Sequence, residues 1–555
     1  MAIRLEDIRE NTRKHKTGYI IGASAVVLLA LGGLFLNSAT HPDLKNVCVQ
    51  PLAITSSQNF MSSKEFLEPD YVKHSAKLLG GAVKIPTETF DNMSLNVLSD
   101  DRFLIFNDFH DYIKASFPYA WKYVEKVNHY GLLYTIPGSD RKLKPILLMA
   151  HQDVVPVNNA TEDAWDYKPF SGHYDGEFLY GRGSSDTKNS LIAQLEAVES
   201  LLEQGWEPTR TVLLSYGFDE EIEGHRGAYN LAKTVEERYG THGIESIVDE
   251  GFGLLSYGGG IFAAPSVAEK GRSDFNIVLT TPGGHSSIPP DHTGIGIASE
   301  LVTILEANPL EPFIGKDSTF VEMFGCIARY APDLPSSSRI ALGGLGRFEK
   351  FRSVVAKQLQ KDPMSRYLVR TSQAVDVING GVKVNALPEK VTLQMDNRIA
   401  IHQTVHDMQE RLLNLVKPLA SKFNLGVTFD GKEIIAGAYG FNITTFGALD
   451  PAPVTPTEGK SWDILAGTSL HVFNKVYTEF GDNIKVAPSV MNANTDTAHY
   501  WGVSKNIYRF NPALIEDMID YHTVNEKLRF RSHISSVVWF YEYLLNWTGE
   551  TRETD

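Results

Sequence analysis

Cysteine is almost missing from this chain. Two residues in 555, Cys48 and Cys326, exclude a cysteine-based zinc site and a disulfide-built scaffold, and leave a single bridge between them open. Basic charge is also short. The 52 Lys and Arg residues against 67 Asp and Glu leave a net charge of −15, which argues against nucleic acid as a partner, because phosphate binding needs a basic surface. The chain has no G-x-S-x-G elbow, which disfavours a serine hydrolase. "GRGSSD" lacks the Gly-Lys-Ser/Thr ending of a phosphate loop. Short-period repeats and low-complexity tracts are absent.

Long apolar runs are scarce, with one exception. "GYIIGASAVVLLALGGLFL", residues 18–36, carries no charge and would span roughly 28 Å as a helix, close to a hydrocarbon core of about 30 Å. Arg4, Arg9, Arg13, Lys14 and Lys16 precede it, so the reading is a signal anchor with a cytosolic tail at 1–17 and the body across the membrane, single-pass type II. A signal peptide cut near Ala39 is the alternative. Sequons at Asn92, Asn159, Asn442 and Asn546 agree with a glycosylated lumenal body.

What remains alternates. A polar stalk is expected at 37–65. "GLLYTIPG", "KPILLMAHQD", "TRTVLLSYGFDEE" and "ESIVDEG" read as strands, and "KNSLIAQLEAVESLLEQG" as an amphipathic helix between them. Apolar strands of this kind belong to an α/β sheet with helices on both faces. From about residue 271 the strands alternate apolar and polar, as in "SDFNIVLTTPGGHSS" and "EKVTLQMDNRIA". The expected organisation is therefore a mixed-sheet catalytic domain, 66–270 and 433–555, interrupted by a smaller α+β lid domain at 271–432. Residues 310–370 are hard to place within that lid.

Five acidic or histidine clusters sit at strand ends or in loops: "HQD" with His151 and Asp153, "GRGSSDTK" with Asp186, "FDEE" with Asp219, Glu220 and Glu221, "VDEG" with Asp249 and Glu250, and "YHTVNE" with His522. Taken singly, each has a plain structural reading. His151 could be a satisfied strand-end histidine, Asp186 a helix cap, "DEEIE" a solvated loop, "PGGHSS" a turn and "DNR" a surface ion pair. Taken together they change the reading. Ligands bind outside the carboxyl ends of strands in α/β sheets, and two histidines with several carboxylates suit zinc or a similar divalent ion.

"HQDVVP", "GRGSSDTKNS", "FDEEIEG", "DEG", "TPGGHSS" and "HTVNE", in that order, resemble the M20 family of two-zinc metallopeptidases. The spacing and "TDTAHYW" resemble its vacuolar Gly-Xaa carboxypeptidases, the carboxypeptidase S type. The resemblance implies two zinc ions per chain: His151, Asp186 and Asp249 on one, Asp186, Glu221 and His522 on the other, with His499 a rival to His522. It implies Glu220 as general base, Asp153 as the residue orienting His151, and His285 in the lid as donor to the oxyanion. Arg398, helped by Asn385, would grip the substrate's free carboxylate. A cis peptide is expected at Asp186–Thr187. The implied activity is an exopeptidase acting next to a C-terminal amino acid through a metal-bridging hydroxide, in a vacuole-like lumen. Its substrate would be a small peptide or an N-acyl amino acid, and a homodimer is open. The alternatives are an N-acyl amino-acid amidohydrolase and, from a different class, a non-catalytic receptor-like ectodomain.

Overall fold

The computed structural model describes residues 44–363, 365–481 and 483–554. Its largest element is a mixed ten-stranded sheet. Along its main path the order is Val124–Val127, Gly131–Ile136, Val212–Gly217, Ile146–His151, Ser246–Tyr257, Ile507–Leu514, Ser266–Glu269 and Ser489–Met491. The four central strands run parallel: Ile146–His151 to both Val212–Gly217 and Ser246–Tyr257, and Ile507–Leu514 to Ser246–Tyr257. Every residue of Ile146–His151 and Val212–Gly217 is buried, which is why both read as unbroken apolar runs.

The pleat sends neighbouring side chains to opposite faces. Tyr134, Ile146, Leu148 and Leu214 join one core with the helices Lys188–Glu203 and Phe530–Thr548. Leu133, Leu147, Met149 and Leu213 join another with the helix Ala228–Tyr239. Every residue of Phe530–Thr548 except Arg531 is buried, so its sequence shows no solvent-facing charged stripe.

A second, seven-stranded sheet forms the smaller unit. Gly271–Thr280 is central, with Lys390–Asp396 and Ala374–Gly380 on one side and Gly440–Leu449, Gly426–Phe429 and Lys432–Ile435 on the other. The helices Gly294–Ala307 and Val405–Lys422 pack on it. Thr404 starts the second of these with a capping box closed by Asp407, which satisfies amides that a helix start leaves free. Gly440–Leu449 pairs along Gly271–Thr280, so this sheet continues past the boundary expected at 432.

Residues 310–370 belong elsewhere. The helices Thr319–Tyr330, Ser336–Gly343 and Glu349–Leu359 bury Phe320, Phe324, Leu342 and Leu359 against Leu255, Tyr257 and Phe262 of the large sheet.

The expected stalk is also corrected from residue 44 onward. Cys48 and Cys326 form a disulfide with Cα atoms 4.9 Å apart, and Ile54–Ser56 pairs antiparallel with Thr551–Glu553. These two ties lay the segment along the body. The expected fold class included a membrane-crossing helix, and this component is corrected. Among the described residues no helix is long and apolar enough to cross a membrane, and residues 18–36 lie outside the described ones. One sequon is corrected too: Asn546 is buried and its Nδ2 donates to Thr468 Oγ1 at 2.8 Å, whereas Asn92, Asn159 and Asn442 are exposed.

Candidate metal centre

His151 is the last residue of its strand, at the carboxyl end where its parallel neighbour Val212–Gly217 also stops. Its Nδ1 lies 2.9 Å from the Asp153 carbonyl and 3.3 Å from Asp153 Oδ1. That contact turns Nε2 toward Asp186 Oδ1 at 3.1 Å and Glu250 Oε1 at 3.4 Å. From the other side His522 Nε2 meets Asp186 Oδ2 at 3.1 Å and Glu221 Oε1 at 3.2 Å. The two oxygens of Asp186 thus face two different imidazoles. The Asp186–Thr187 peptide is cis.

Asp153 is fully buried and organises the neighbouring turn. Its Oδ1 accepts from Glu220 N at 3.1 Å, and its Oδ2 from Glu221 N at 3.1 Å and Thr89 Oγ1 at 2.8 Å. These amides open the turn Glu220–Ile222, where a helix start favours negative charge. Asp219 is tied down separately: its carboxylate accepts from Arg226 N at 2.8 Å and Gly227 N at 2.7 Å.

The expected ligand Asp249 does not join this cluster; its neighbour Glu250 does. Asp249 pairs opposite Arg509 in the sheet, and the next pairing is Phe252 with Phe510. Residues 250 and 251 are therefore extra, a bulge of the kind that re-aims a side chain beside a site. Among the described residues, His151, Asp186 and Glu221 form one set able to hold a metal, and His151, Glu220 and Glu250 another, with ligand atoms in each set within 4.8 Å of one another.

The electrostatics fit a cation. Burial, with Asp186 beside it, pushes Glu221 up to about 7. Burial, with Glu250 and Glu221 near, raises Glu220 well above the carboxylate range. Burial also lifts Asp249 to about 8, helped by Glu250. The hydrogen bonds to Asp186 and Glu221 raise His522 to about 10. Four carboxylates, of Asp186, Glu220, Glu221 and Glu250, surround two imidazoles, so the cluster calls for added positive charge. With nitrogen and oxygen donors and no sulfur, the donor set suits zinc or a comparable divalent ion.

The remaining expected residues lie apart. His285 is exposed on the short strand Gly284–His285, its Nδ1 2.7 Å from Ser287 Oγ. Asn385 is exposed beside it, its carbonyl accepting from Ser286 N. Arg398 sits opposite Arg272 at the other end of the small sheet, eight strand residues from the end near His285, roughly 26 Å at about 3.3 Å per residue. Within this chain, His285 and Asn385 therefore lie at the opposite end of the central strand from Arg398. Arg398 donates from Nη1 to Asn494 Oδ1 at 3.0 Å, and Asn494 Nδ2 donates to the Lys270 carbonyl at 2.6 Å. The rival His499 stays outside the cluster, its Nε2 3.0 Å from the Glu223 carbonyl.

The adjoining "TDTAHYW" holds Asp496, to which the sequence alone assigns no role. Asp496 is buried, and a Cβ at Gly217 or Gly224 would collide with its carboxylate oxygens. Those two glycines leave room for it against the Glu220 turn.

Residues 147–546 match the sequence profile of peptidase family M20/M25/M40. Carboxypeptidase S of Saccharomyces cerevisiae is 40% identical over 94% of this chain and 95% of its own. Human N-fatty-acyl-amino acid synthase/hydrolase PM20D1 is 32% identical over 84% of this chain and 86% of its own. Human carnosine dipeptidase 1 shares the fold, with a TM-score of 0.59 at 15% identity over 88% of this chain and 98% of its own. With the matched profile covering most of its length, the chain belongs to peptidase family M20/M25/M40.

Proposed function

We propose that this M20 metallocarboxypeptidase uses two zinc ions to hydrolyse the amide bond next to a C-terminal amino acid in small Gly-Xaa peptides. One observation carries the two-metal reading: Asp186 presents one oxygen to His151 and the other to His522, each at 3.1 Å. His151 and Glu250 would hold one ion and Glu221 and His522 the other, with Asp186 contributing to both. Zinc there would polarise the scissile carbonyl and lower the pKa of a water toward about 7.

The chain's own residues do the rest. Glu220 takes the water's proton and delivers it to the departing amine. Asp153 fixes Glu220 and Glu221 by their amides and orients His151, so neither carboxylate needs to reorganise. Arg398 holds the substrate's free carboxylate with a planar fork, steadied by Asn494. The small sheet, 271–449 without the body-packed helices of 310–370, acts as a lid that carries Arg398.

His285 and Asn385 sit at the far end of that lid, near Val382 at 99%, Val384 at 97% and Ile288 at 82% exposure. An exposed apolar patch of this kind marks an interaction surface. It fits a homodimer in which these two residues face a second copy. The Cys48–Cys326 disulfide and the exposed sequons at Asn92, Asn159 and Asn442 support an oxidising, vacuole-like lumen and glycosylation.

The 32% identity to the N-fatty-acyl-amino acid synthase/hydrolase favours one second reading, an N-acyl amino-acid amidohydrolase with the same catalytic groups. A substrate panel on zinc-loaded protein separates them. Cleavage of Cbz-Gly-Leu well above N-oleoyl-Phe is expected, and the reverse order would replace the first reading with the second.

A further inference from the structure

Glu526 lies four residues beyond His522 and is fully buried. Its Oε2 accepts from Arg182 Nη1 at 2.5 Å. Its Oε1 accepts from the backbone amides of Gly183 and Ser185, each at 3.0 Å. Its own carbonyl accepts from Gly181 N at 2.9 Å, and Ser185 Oγ donates to the next carbonyl, that of Lys527, at 3.2 Å. All these donors come from 181–185, the loop that delivers Asp186. Arg182 is itself buried, with its guanidinium 5.5 Å from the centre of the Trp165 ring.

The loop on the other side needs such an anchor. Asp520, His522 and Asn525 all have positive φ, +56°, +59° and +68°, a region that side-chain-bearing residues enter only when their surroundings hold them there. One carboxylate therefore ties together the two segments whose ends meet at Asp186 Oδ2 and His522 Nε2.

We propose that Glu526 is a positioning residue for metal binding: it sets the spacing of Asp186 and His522, and through them the half of the centre they share with Glu221. This rests on the two-metal reading above. Only a carboxylate fits the role, because every partner is a donor. A glutamine would offer one accepting oxygen and aim its NH2 at another donor, leaving a buried group unsatisfied.

The test is a chelator-buffered zinc titration of the full chain, run with a thermal melt, on wild type, Glu526→Gln and Arg182→Lys. Wild type should bind two ions. In Glu526→Gln one of the two should bind about 10–100-fold more weakly, the usual cost of losing a partner that orients a ligand, while the other shifts less than about threefold. Arg182→Lys keeps the charge but loses the fork, and should weaken the same ion by a smaller factor; it decides the matter if Glu526→Gln does not fold. Two ions bound at wild-type affinity in the variants overturn the proposal, even if the melting temperature falls, because a merely structural role would lower stability and spare the metals. A wild type that binds no zinc fails the two-metal reading instead.

Discussion

Arg272, the second residue of the lid's central strand, reaches out of the lid to Glu223, with Nη1 2.7 Å from Oε1. Glu223 closes the turn that begins with Glu220, in a left-handed conformation at φ +75°. His499 meets the carbonyl of the same residue at 3.0 Å. The turn carrying the proposed base is thus held from the body by His499 and from the lid by Arg272.

That contact predicts a modest, salt-sensitive coupling of the lid to turnover. Half of the Glu223 side chain is exposed, so the pair contributes about 0.2–1 kcal/mol. Glu223→Gln should lower kcat about twofold to fivefold with KM nearly unchanged. Added salt should slow wild type toward the variant and leave the variant's rate unaltered. Equal salt dependence in the two proteins removes the coupling.

The bulge at residues 250 and 251 yields a second prediction, which separates two adjacent acids. Glu250→Ala should lose zinc and nearly all activity, since Glu250 lies in the cluster and Asp249 does not. Asp249→Asn should keep both ions, because Asp249 belongs to neither ligand set and its carboxylate accepts from Glu250 N at 2.9 Å. Metal analysis after dialysis reads the difference. Zinc lost from Asp249→Asn and retained in Glu250→Ala reverses the assignment.

Glu220 and Glu221 should also behave differently. Glu220→Gln removes proton transfer and should reduce kcat by about 10²–10⁴-fold, with zinc retained, because three ligand contacts to each histidine side remain. Glu221→Gln should lose affinity for the ion beside His522, whose Nε2 it meets at 3.2 Å. Single-turnover rates and zinc content measured on the same samples distinguish base from ligand.

His110 gives a pH prediction away from the centre. Gln152 donates both amide hydrogens to the carbonyls of Tyr130 and Tyr216 at 2.8 and 2.9 Å, so its Oε1 must accept from His110 Nε2 at 2.8 Å. Burial, with Lys126 adding to it, holds this histidine down at about 4. The unfolded chain binds the proton near 6.5, so between those values unfolding takes up protons and stability falls as pH falls. The loss should approach about 3 kcal/mol by pH 4. Urea unfolding from pH 7 to 4 should show a slope that His110→Gln lacks in part. Parallel curves for the two proteins dismiss the effect.

Much of this is legible in the sequence. Ile146–His151 and Val212–Gly217 are buried on both faces and announce themselves as apolar runs, and the histidine and acids follow where those runs stop. Glu250 was not legible as the candidate ligand, because a bulge leaves no mark in side-chain alternation beyond the glycine after it. "HTVNE" reveals no role for Glu526, since its three donors come from a loop more than 340 residues away. The strand Gly440–Leu449 escaped because only Phe441 and Ile443 of its ten residues are buried and Gly and Thr interrupt its pattern. The separation of Arg398 from His285 follows from strand register, which pairing partners alone determine.

The proposed exopeptidase specificity rests on Arg398. It lies on the lid, with Nε 3.3 Å from Asp396 Oδ2 and Nη1 on Asn494 of the body, while the proposed metal ligands all belong to the body. A substrate that reaches from the centre to Arg398 therefore spans both units, and its carboxylate must lie at a fixed distance from the scissile bond. Binding to both favours closure. Arg398→Ala should raise KM and lower kcat together for Gly-Xaa dipeptides. Arg398→Lys should recover only part, because an ammonium has no planar fork and cannot hold Asn494 and a carboxylate in one plane. Asn494→Ala should raise KM more than it lowers kcat, since the arginine remains but loses its support. C-terminally amidated substrates should be poor with intact enzyme and no worse with Arg398→Ala, because the group that Arg398 reads is already gone. If wild type cleaves amide and free acid equally well, Arg398 does not read the carboxylate and the exopeptidase assignment fails with it.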